Sequence, residues 1–391
     1  EIKELPQKDE NGNTLLSVKL KNNIKGLNKN ENIVYQSIKN SNSLGSLAET
    51  LTFTNKKTLN GGVREEESLK ELKILLNELR EDNIYSKLNK VAKDQIDIFS
   101  TIPFNNGEIF NKDKMAVGGY LSTRVVEGEF KGTTNSGYGI YNVKLNDTLR
   151  GGFVFGGGSS NYSEIKNNKL DEISTDSKIK GQSMYLGAYG DKKLSNNLKI
   201  ISGLGIQYGE YKIQRKWKNN YQKFDFQGKS KTNSGNLYTG LIYNYKISDG
   251  MELGIKGTLT YTVINQGKVE ESNKLLGIEV AKENFDYLDG ELGIDLSKKL
   301  YGKETVNRLK GGLYGTYGLV GYENKNLVGK INNSSSSFEI LGDKERKDGI
   351  KLSLNYDVER KDGILYGIEG NYKTNTESNE ITMGLKVGYI F

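Results

Sequence analysis

Ile381-Thr382-Met383-Gly384-Leu385-Lys386-Val387-Gly388-Tyr389-Ile390-Phe391 is the stretch that decides the fold. Read backward from Phe391, every second residue is apolar: Tyr389, Val387, Leu385, Met383 and Ile381. A period of two is that of a β-strand with one apolar face. Lys386, at its middle, belongs to the other face, which therefore needs polar surroundings. Upstream the same pattern recurs. Ile350, Leu352, Leu354 and Tyr356 alternate with Lys351, Ser353, Asn355 and Asp357. Ile364, Tyr366 and Ile368 alternate with Gly367, Glu369 and Asn371. Leu288, Leu292, Ile294 and Leu296 alternate with Asp289, Glu291 and Asp295, and Leu253 and Ile255 with Glu252 and Lys256.

From about Lys114 onward this reading gives twelve strands, near 115–127, 136–146, 149–160, 179–190, 197–213, 232–247, 251–264, 284–297, 306–322, 347–358, 363–373 and 380–391. Met184-Tyr185-Leu186 does not choose a face. Connections after the even strands are short, as at Asp147-Thr148 and Ser248-Asp249-Gly250. Those after strands 3, 5, 7 and 9 are long, around 161–178, 214–231, 265–283 and 323–346. A soluble sandwich has no reason to alternate this way. A membrane barrel has tight turns at one mouth and long loops at the other.

Composition agrees. Gly is 47 and Tyr 24, which suits strands, turns and interfacial aromatics, and Pro is only 2, as long ladders require. No apolar run is long enough for a membrane helix. Cys and His are both 0, which removes thiolate chemistry and most zinc sites. The net charge of +7 comes mainly from lysine in an Asn-rich background and reads as solvated loops, with no nucleic-acid partner. The basic run Arg215-Lys216-Trp217-Lys218 falls in an expected surface loop, where lipid phosphate is the nearest anion.

Twelve strands enclose a lumen too wide to fill with strand side chains alone. The charged face, with Glu252, Lys256, Asp289, Glu291, Asp295, Lys351, Asp357 and Glu369, is expected to line it. The apolar face is then left to lipid, and no sheet edge can stay unpaired there, so strand 12 must close on strand 1.

The N-terminal part reads differently. Residues 1–63 are polar and mixed; Thr14–Leu20 alternates weakly, and Asn32–Leu51 suits a short helix or two. From Arg64 the period is helical, through Leu69, Leu72, Leu75, Leu76 and Leu79, then Ile84, Leu88, Val91, Ile98 and Phe99. Asp82-Asn83 interrupts it and caps a second helix, Ile84–Phe99, and Pro103 is expected to stop it. Alone, these segments would read as a helix pair of a globular domain. A chain opening on Glu1 rather than methionine reads as a piece of something longer.

The terminal strand resembles the C-terminal signal of outer-membrane proteins that the barrel-assembly machinery reads, with Phe391, Tyr389, Val387, Leu385, Met383 and Ile381 as its apolar series. An incoming last strand can pair by β-augmentation while alternate side chains enter pockets. The whole arrangement resembles the translocator unit of a monomeric autotransporter of type V secretion. Within the helical segment, Leu79-Arg80-Glu81-Asp82-Asn83-Ile84-Tyr85-Ser86-Lys87-Leu88 is similar to that family's L-x-G-E-x-Y-x-S stretch, with Arg80 and Glu81 where a small residue and Gly are usual.

The resemblance implies an all-β fold with an N-terminal helical segment: a 12-stranded antiparallel transmembrane β-barrel with a linker helix in its lumen. It divides the chain into a passenger remnant (1–63), the helical linker (64–113) and the barrel (114–391). It implies that Tyr85, Lys87, Lys90, Lys93, Asp94 and Asp97 lie on the lumenal helix. It implies a bacterial outer-membrane protein that carries its own N-terminal passenger to the cell surface and anchors it there, the passenger being an adhesin. Its partners would be outer-membrane lipids, the assembly machinery and its own passenger segment; it would act as a monomer with no cofactor.

The alternative is a porin-like channel, which needs an open lumen and no helix before strand 1. Barrel proteases and phospholipases rest on a catalytic histidine, and this chain has none, so no enzymatic site is expected. Gly228-Lys229-Ser230 lacks the first glycine of a P-loop. Asp171, Glu172 and Asp176 read as solvated loop acids rather than a calcium site. Asn105-Asn106 resembles an intrabarrel cleavage dipeptide, but five other Asn-Asn pairs weaken it.

Overall fold

The computed structural model describes residues 7–8, 14–15, 24–41, 65–81, 83–106, 113–126, 130–168, 173–218, 223–272, 276–323, 325–342 and 348–391. Twelve long antiparallel strands form a closed ring: β1 (Lys114–Val126), β2 (Phe130–Lys144), β3 (Leu149–Asn168), β4 (Ile173–Lys193), β5 (Leu198–Lys218), β6 (Lys223–Ser248), β7 (Met251–Gln266), β8 (Glu283–Tyr301), β9 (Thr305–Val320), β10 (Gly349–Arg360), β11 (Ile364–Thr374) and β12 (Ser378–Ile390). Closure is made by β12 on β1, in register from Ser378 opposite Val126 to Ile390 opposite Lys114. The backbone N–H of Phe391 adds a last bond to Asp113 O at 3.0 Å. The ring thereby has no open edge, which is what hydrocarbon demands.

The outer surface is the apolar face. Met383, Leu385 and Val387 are 63%, 68% and 57% exposed, and Leu292, Leu354 and Ile206 likewise face out. Tyr208, Tyr261, Tyr317 and Tyr372 stand near the upper end of this belt; Tyr141, Tyr243, Tyr301, Tyr366 and Tyr389 stand near the lower. These are the two aromatic girdles of a membrane barrel. Met184 and Leu186 face out while Tyr185 faces in, which settles the strand whose faces the sequence leaves open. No helix among the described residues is long and apolar enough to cross a membrane.

Tight turns join β2–β3, β4–β5, β6–β7, β8–β9 and β10–β11 at the lower, periplasmic mouth. The other mouth departs from expectation. Segments 161–178 and 214–231, read as loops, are largely strand: β3 runs to Asn168, β4 starts at Ile173, β5 runs to Lys218 and β6 starts at Lys223. A hairpin outside lipid keeps its ladder bonds without needing an apolar face, so hydropathy stops marking the strand before pairing does. The 265–283 and 323–346 connections are also structured. They hold short strands Val269–Glu271, Ile278–Val280, Leu327–Ile331 and Ser337–Ile340. These extend the sheet from the top of β6, where Lys229 pairs with Glu270, and fold into a cap.

Three helices complete the fold: α1 (Lys29–Lys39), α2 (Glu65–Arg80) and α3 (Leu88–Asn106), the last preceded by a 3-10 turn, Ile84–Lys87. Asn28 opens α1 with a capping box closed by Glu31. Pro103 lies inside α3 rather than ending it. It removes one backbone bond, but Phe104 beyond it packs against Tyr238, 5.9 Å between ring centroids, and holds the last turn. The weak alternation near Thr14 appears as Thr14–Leu15 paired with Gln7–Lys8. The rest of 16–23, residues 42–64 and residues 107–112 lie outside the described residues.

Candidate functional site: the occupied lumen

Helix α3 runs inside the barrel, and most of its described side chains are buried. Leu88, Val91, Ala92, Ile96, Phe99 and Ile102 are fully buried, and so are Lys93 and Gln95, at 1% exposure. A helix with this many polar residues can be enclosed only if its surroundings supply partners. The barrel wall does.

The contacts descend with the chain. At the top, Tyr85 donates its hydroxyl to Glu271 at 2.9 Å, and Lys87 pairs with Glu164 on β3. Lys90 is half-buried beside Phe285 and Tyr322. Asn89 donates to Tyr287 Oη at 2.6 Å. Lys93 bridges Asp97, one turn below it, and Asp289 on β8, both at 2.5 Å. Asp94 receives Arg124 of β1 on both oxygens, at 2.8 and 2.6 Å, and Tyr162 at 3.2 Å. Gln207 donates to Ala92 O at 3.2 Å, and Tyr211 to Gln95 at 2.5 Å. Phe99 stacks on Tyr185, centroids 4.5 Å apart and planes 5° from parallel. Lowest, Asn105 donates to Glu369 at 2.7 Å, and Lys386 donates to Asn105 O at 3.2 Å. Charge-assisted bonds of this kind are the strong ones, and burial removes competing water.

The eight strand residues expected in the lumen all lie on the inner face. Lys256 and Lys351 share Glu291, the former at 3.0 Å. Asp295 accepts from Tyr314 at 3.1 Å, and Asp357 pairs with Lys386 at 2.8 Å. Glu252 pairs with Lys299 at 3.5 Å near the lower mouth. Of the eight, Asp289 and Glu369 bond to the helix directly. The other six bond to partners within the wall, leaving a cavity of about 210 Å³ between α3 and strands β7–β12.

Sequence reasoning missed the other half of the wall. Inward tyrosines tile it, each ring lying over the glycine directly opposite on the preceding strand: Tyr138 over Gly118, Tyr162 over Gly132, Tyr211 over Gly181 and Tyr238 over Gly203. A Cβ at Gly181 would sit 2.3 Å from the Tyr211 ring, so only glycine admits it. The closure seam follows suit, with Tyr120 over Gly384. Cross-strand Gly–Tyr pairing is the readable signal. The tyrosine count by itself points to interfacial aromatics and does not separate out this lumenal set.

Arg215, read as a loop cation facing lipid, is 1% exposed and turned inward. It grips Glu271 with two donors, at 2.9 and 2.8 Å, and Glu78 of α2 with a third at 2.8 Å. Trp217 is buried as well, against Phe224. Burial opposes Arg215's charge, but Glu271 and Glu78 outweigh it and raise its pKa further. Burial, seconded by Glu271, raises the Tyr85 hydroxyl well above its ordinary value, so it stays a donor. Around this cluster an apolar core joins Val34, Tyr35 and Ile38 of α1, Leu72, Leu76 and Leu79 of α2, and Val269, Ile278, Leu327, Ile331, Phe338 and Ile340 of the cap. Asp176 is paired with lysines, while Asp171 and Glu172 lie outside the described residues. No metal-binding cluster occurs among the described residues.

The family model for the autotransporter beta-domain matches residues 115–390. The translocator domain of autotransporter NalP from Neisseria meningitidis superposes with a TM-score of 0.61 at 15% identity, over 80% of this chain and 99% of that one. The beta domain of the Bordetella autotransporter BrkA superposes with a TM-score of 0.50 at 9% identity, over 72% of this chain and 100% of that one. No curated protein matches the sequence. At these identities the likeness is one of fold; the family match rests on the sequence of the whole barrel. The chain belongs to the autotransporter β-domain family, and its barrel is that of a bacterial outer-membrane translocator.

Proposed function

We propose that this barrel secretes its own N-terminal passenger, anchors it at the cell surface, and keeps α3 in the lumen as the plug left by that passage. The direction of the chain carries this reading. Both ends of the barrel ring, Lys114 and Ile390, lie at the mouth with tight turns. From there α3 climbs, read backward, from Asn105 beside Lys386 to Lys87 beside Glu164. What precedes it, α2 and α1, packs under the cap at the opposite mouth. Residues 1–63 then serve as the passenger's tail and 64–113 as its linker.

The apolar series Ile381–Phe391 faces outward on β12, where the barrel-assembly machinery could read it before β1 closes the seam. An apolar belt continuous around the ring suits a monomer in lipid. A porin-like channel is disfavoured by the filled lumen. The passenger is assigned as an adhesin, the simplest use of a segment kept attached rather than released.

The test is topological. The full chain, with a secretory signal and an epitope placed before Glu1, is produced in a Gram-negative host. Antibody should label intact cells, and added protease should remove the label. Labelling only after permeabilisation would contradict export. Attachment to matrix-coated surfaces should require the natural passenger and be absent from the barrel alone.

A further inference from the structure

Strands β4, β5 and β6 form the tallest wall of the barrel, with 21, 21 and 26 residues. Above the apolar belt their outward side chains still alternate with buried ones. Three of these outward residues make one rung. Lys180 stands opposite Lys212, and Lys212 opposite Lys229, all exposed. Neighbouring strands lie about 4.8 Å apart, so three ammonium groups stand abreast within about 10 Å. Like charges directly opposite destabilise a sheet.

Neighbouring carboxylates relieve this only in part: Glu270 stands opposite Lys229, and Tyr208, Lys231 and Lys212 hold the Glu210 carboxyl below its ordinary value, but each acid is engaged mainly elsewhere. Glu210 lies 3.5 Å from Lys231 and accepts from Tyr208; Asp176 lies 3.6 Å from Lys178 and 3.8 Å from Lys216. Asp225 accepts from Gln214, and Glu270, at the end of the rung, holds Lys268 at 2.6 Å. Among the described residues no ion pair forms to Lys180, Lys212 or Lys229, and no other row of lysines crosses three strands. The height of the rung is informative. The last outward apolar residues below it are Met184 and Tyr208, each four residues away. Four residues span about 13 Å along a strand, or about 10 Å along the membrane normal at a tilt near 40°. That lifts the rung clear of the hydrocarbon, to the outer side of a headgroup layer about 5–8 Å deep.

We propose that the Lys180–Lys212–Lys229 rung binds the phosphate groups of a phosphorylated glycolipid in the outer leaflet, whose acyl chains lie on the belt below. The lipid supplies the anions that the sheet lacks, and fixes one side of the barrel to the leaflet. The proposal rests on outer-membrane placement and not on passenger export.

The test uses the purified full chain in detergent, with bisphosphorylated lipid A as the probe and retained lipid counted by native mass spectrometry. Near an anionic surface each lysine contributes roughly a factor of five, so K180Q/K212Q/K229Q should bind the probe about a hundredfold more weakly. The control K216Q/K218Q/K223Q, higher on the same wall, should bind nearly as wild type. Both variants are first checked for heat-modifiable gel mobility, which reports an intact barrel. Dephosphorylated lipid A should not distinguish wild type from the rung variant. Equal affinity of the rung variant and wild type for bisphosphorylated lipid A would overturn the proposal. Displacement of the lipid by millimolar inorganic phosphate would also overturn it, since it would mean a general anion site.

Discussion

Replacing Arg215 with methionine should open the cap without opening the barrel. The guanidinium lies between Glu271, which is 0% exposed at its side chain, and Glu78, at 7%. Removing one partner of a buried ion pair costs about 3–5 kcal/mol, because the charge left behind stays buried. Here the lower end applies. Glu271 keeps two donors, the Tyr85 hydroxyl at 2.9 Å and the Ile278 N–H at 2.8 Å, and Glu78 lies near enough to the surface to reach water. A loss of about 3 kcal/mol raises the open population of the cap roughly 150-fold. Amide exchange on the full chain in micelles reads this directly. Amides of α2 from Leu75 to Arg80, and of Ile278, should exchange about two orders of magnitude faster. Amides of the belt, such as Leu352 to Tyr356, should be unchanged. Arg215→Lys should fall between, since one ammonium cannot present the same fork to two carboxylates. If α2 exchange in Arg215→Met stayed within threefold of wild type, the cluster would not be what holds the linker to the cap.

Three further outcomes follow from the geometry. Phe99→Ala removes the ring stacked on Tyr185 and should destabilise the seating of α3 by about 3–5 kcal/mol, seen as faster exchange at Ile96–Ile102 with barrel mobility on gels intact; unchanged exchange would mean the stack does not position the helix. Burial alone would raise Glu279 and Glu283, but Lys268 and Lys330 beside the first, and the Asn284 N–H and Lys325 beside the second, hold both below their ordinary values. Carboxylates depressed in the folded state stabilise it above their unfolded pKa, near 4.3, and lose that contribution as pH falls further; protease nicking of the cap should thus be flat from about pH 8 to 5 and rise below about 4, and a flat profile to pH 3 would count against these pairs. Deleting Phe391 removes the last aromatic of the outward series and its backbone bond to Asp113 O, so the heat-modifiable fraction in membranes should drop several-fold; full assembly would show that the terminal strand is not read there.

The barrel was legible because lipid and lumen impose opposite demands on alternate residues. Leu354 and Asn355 cannot exchange faces, so the register is written residue by residue. The lumenal charges were legible for the same reason, as Glu291 or Lys351 on a strand whose other face meets lipid has nowhere else to go. What lies above the belt was not. There both faces of a hairpin can be polar, so Lys178–Lys180 and Lys212–Lys216 carry no mark of being strand. Arg215 looked like part of a basic loop because its partners, Glu78 and Glu271, are far away in sequence and on different elements. The cap strands are three to five residues long, too short for a period to declare itself. α3 was half legible: its apolar spacing marks a helix, but nothing local indicates that Lys93 bridges Asp97 and Asp289.

Single-channel conductance decides most directly whether the helix is a plug. Full chain and a variant lacking residues 1–110 are reconstituted in planar bilayers under the same salt and voltage. With α3 in place a cavity of about 210 Å³ remains beside strands β7–β12, so the full chain should be closed or pass small, brief currents. The truncated barrel should show large, long-lived openings, because the space enclosed by twelve strands is then water. Equal conductance from the two proteins would contradict the occupied lumen, and with it the account of how the N-terminal chain reaches the surface.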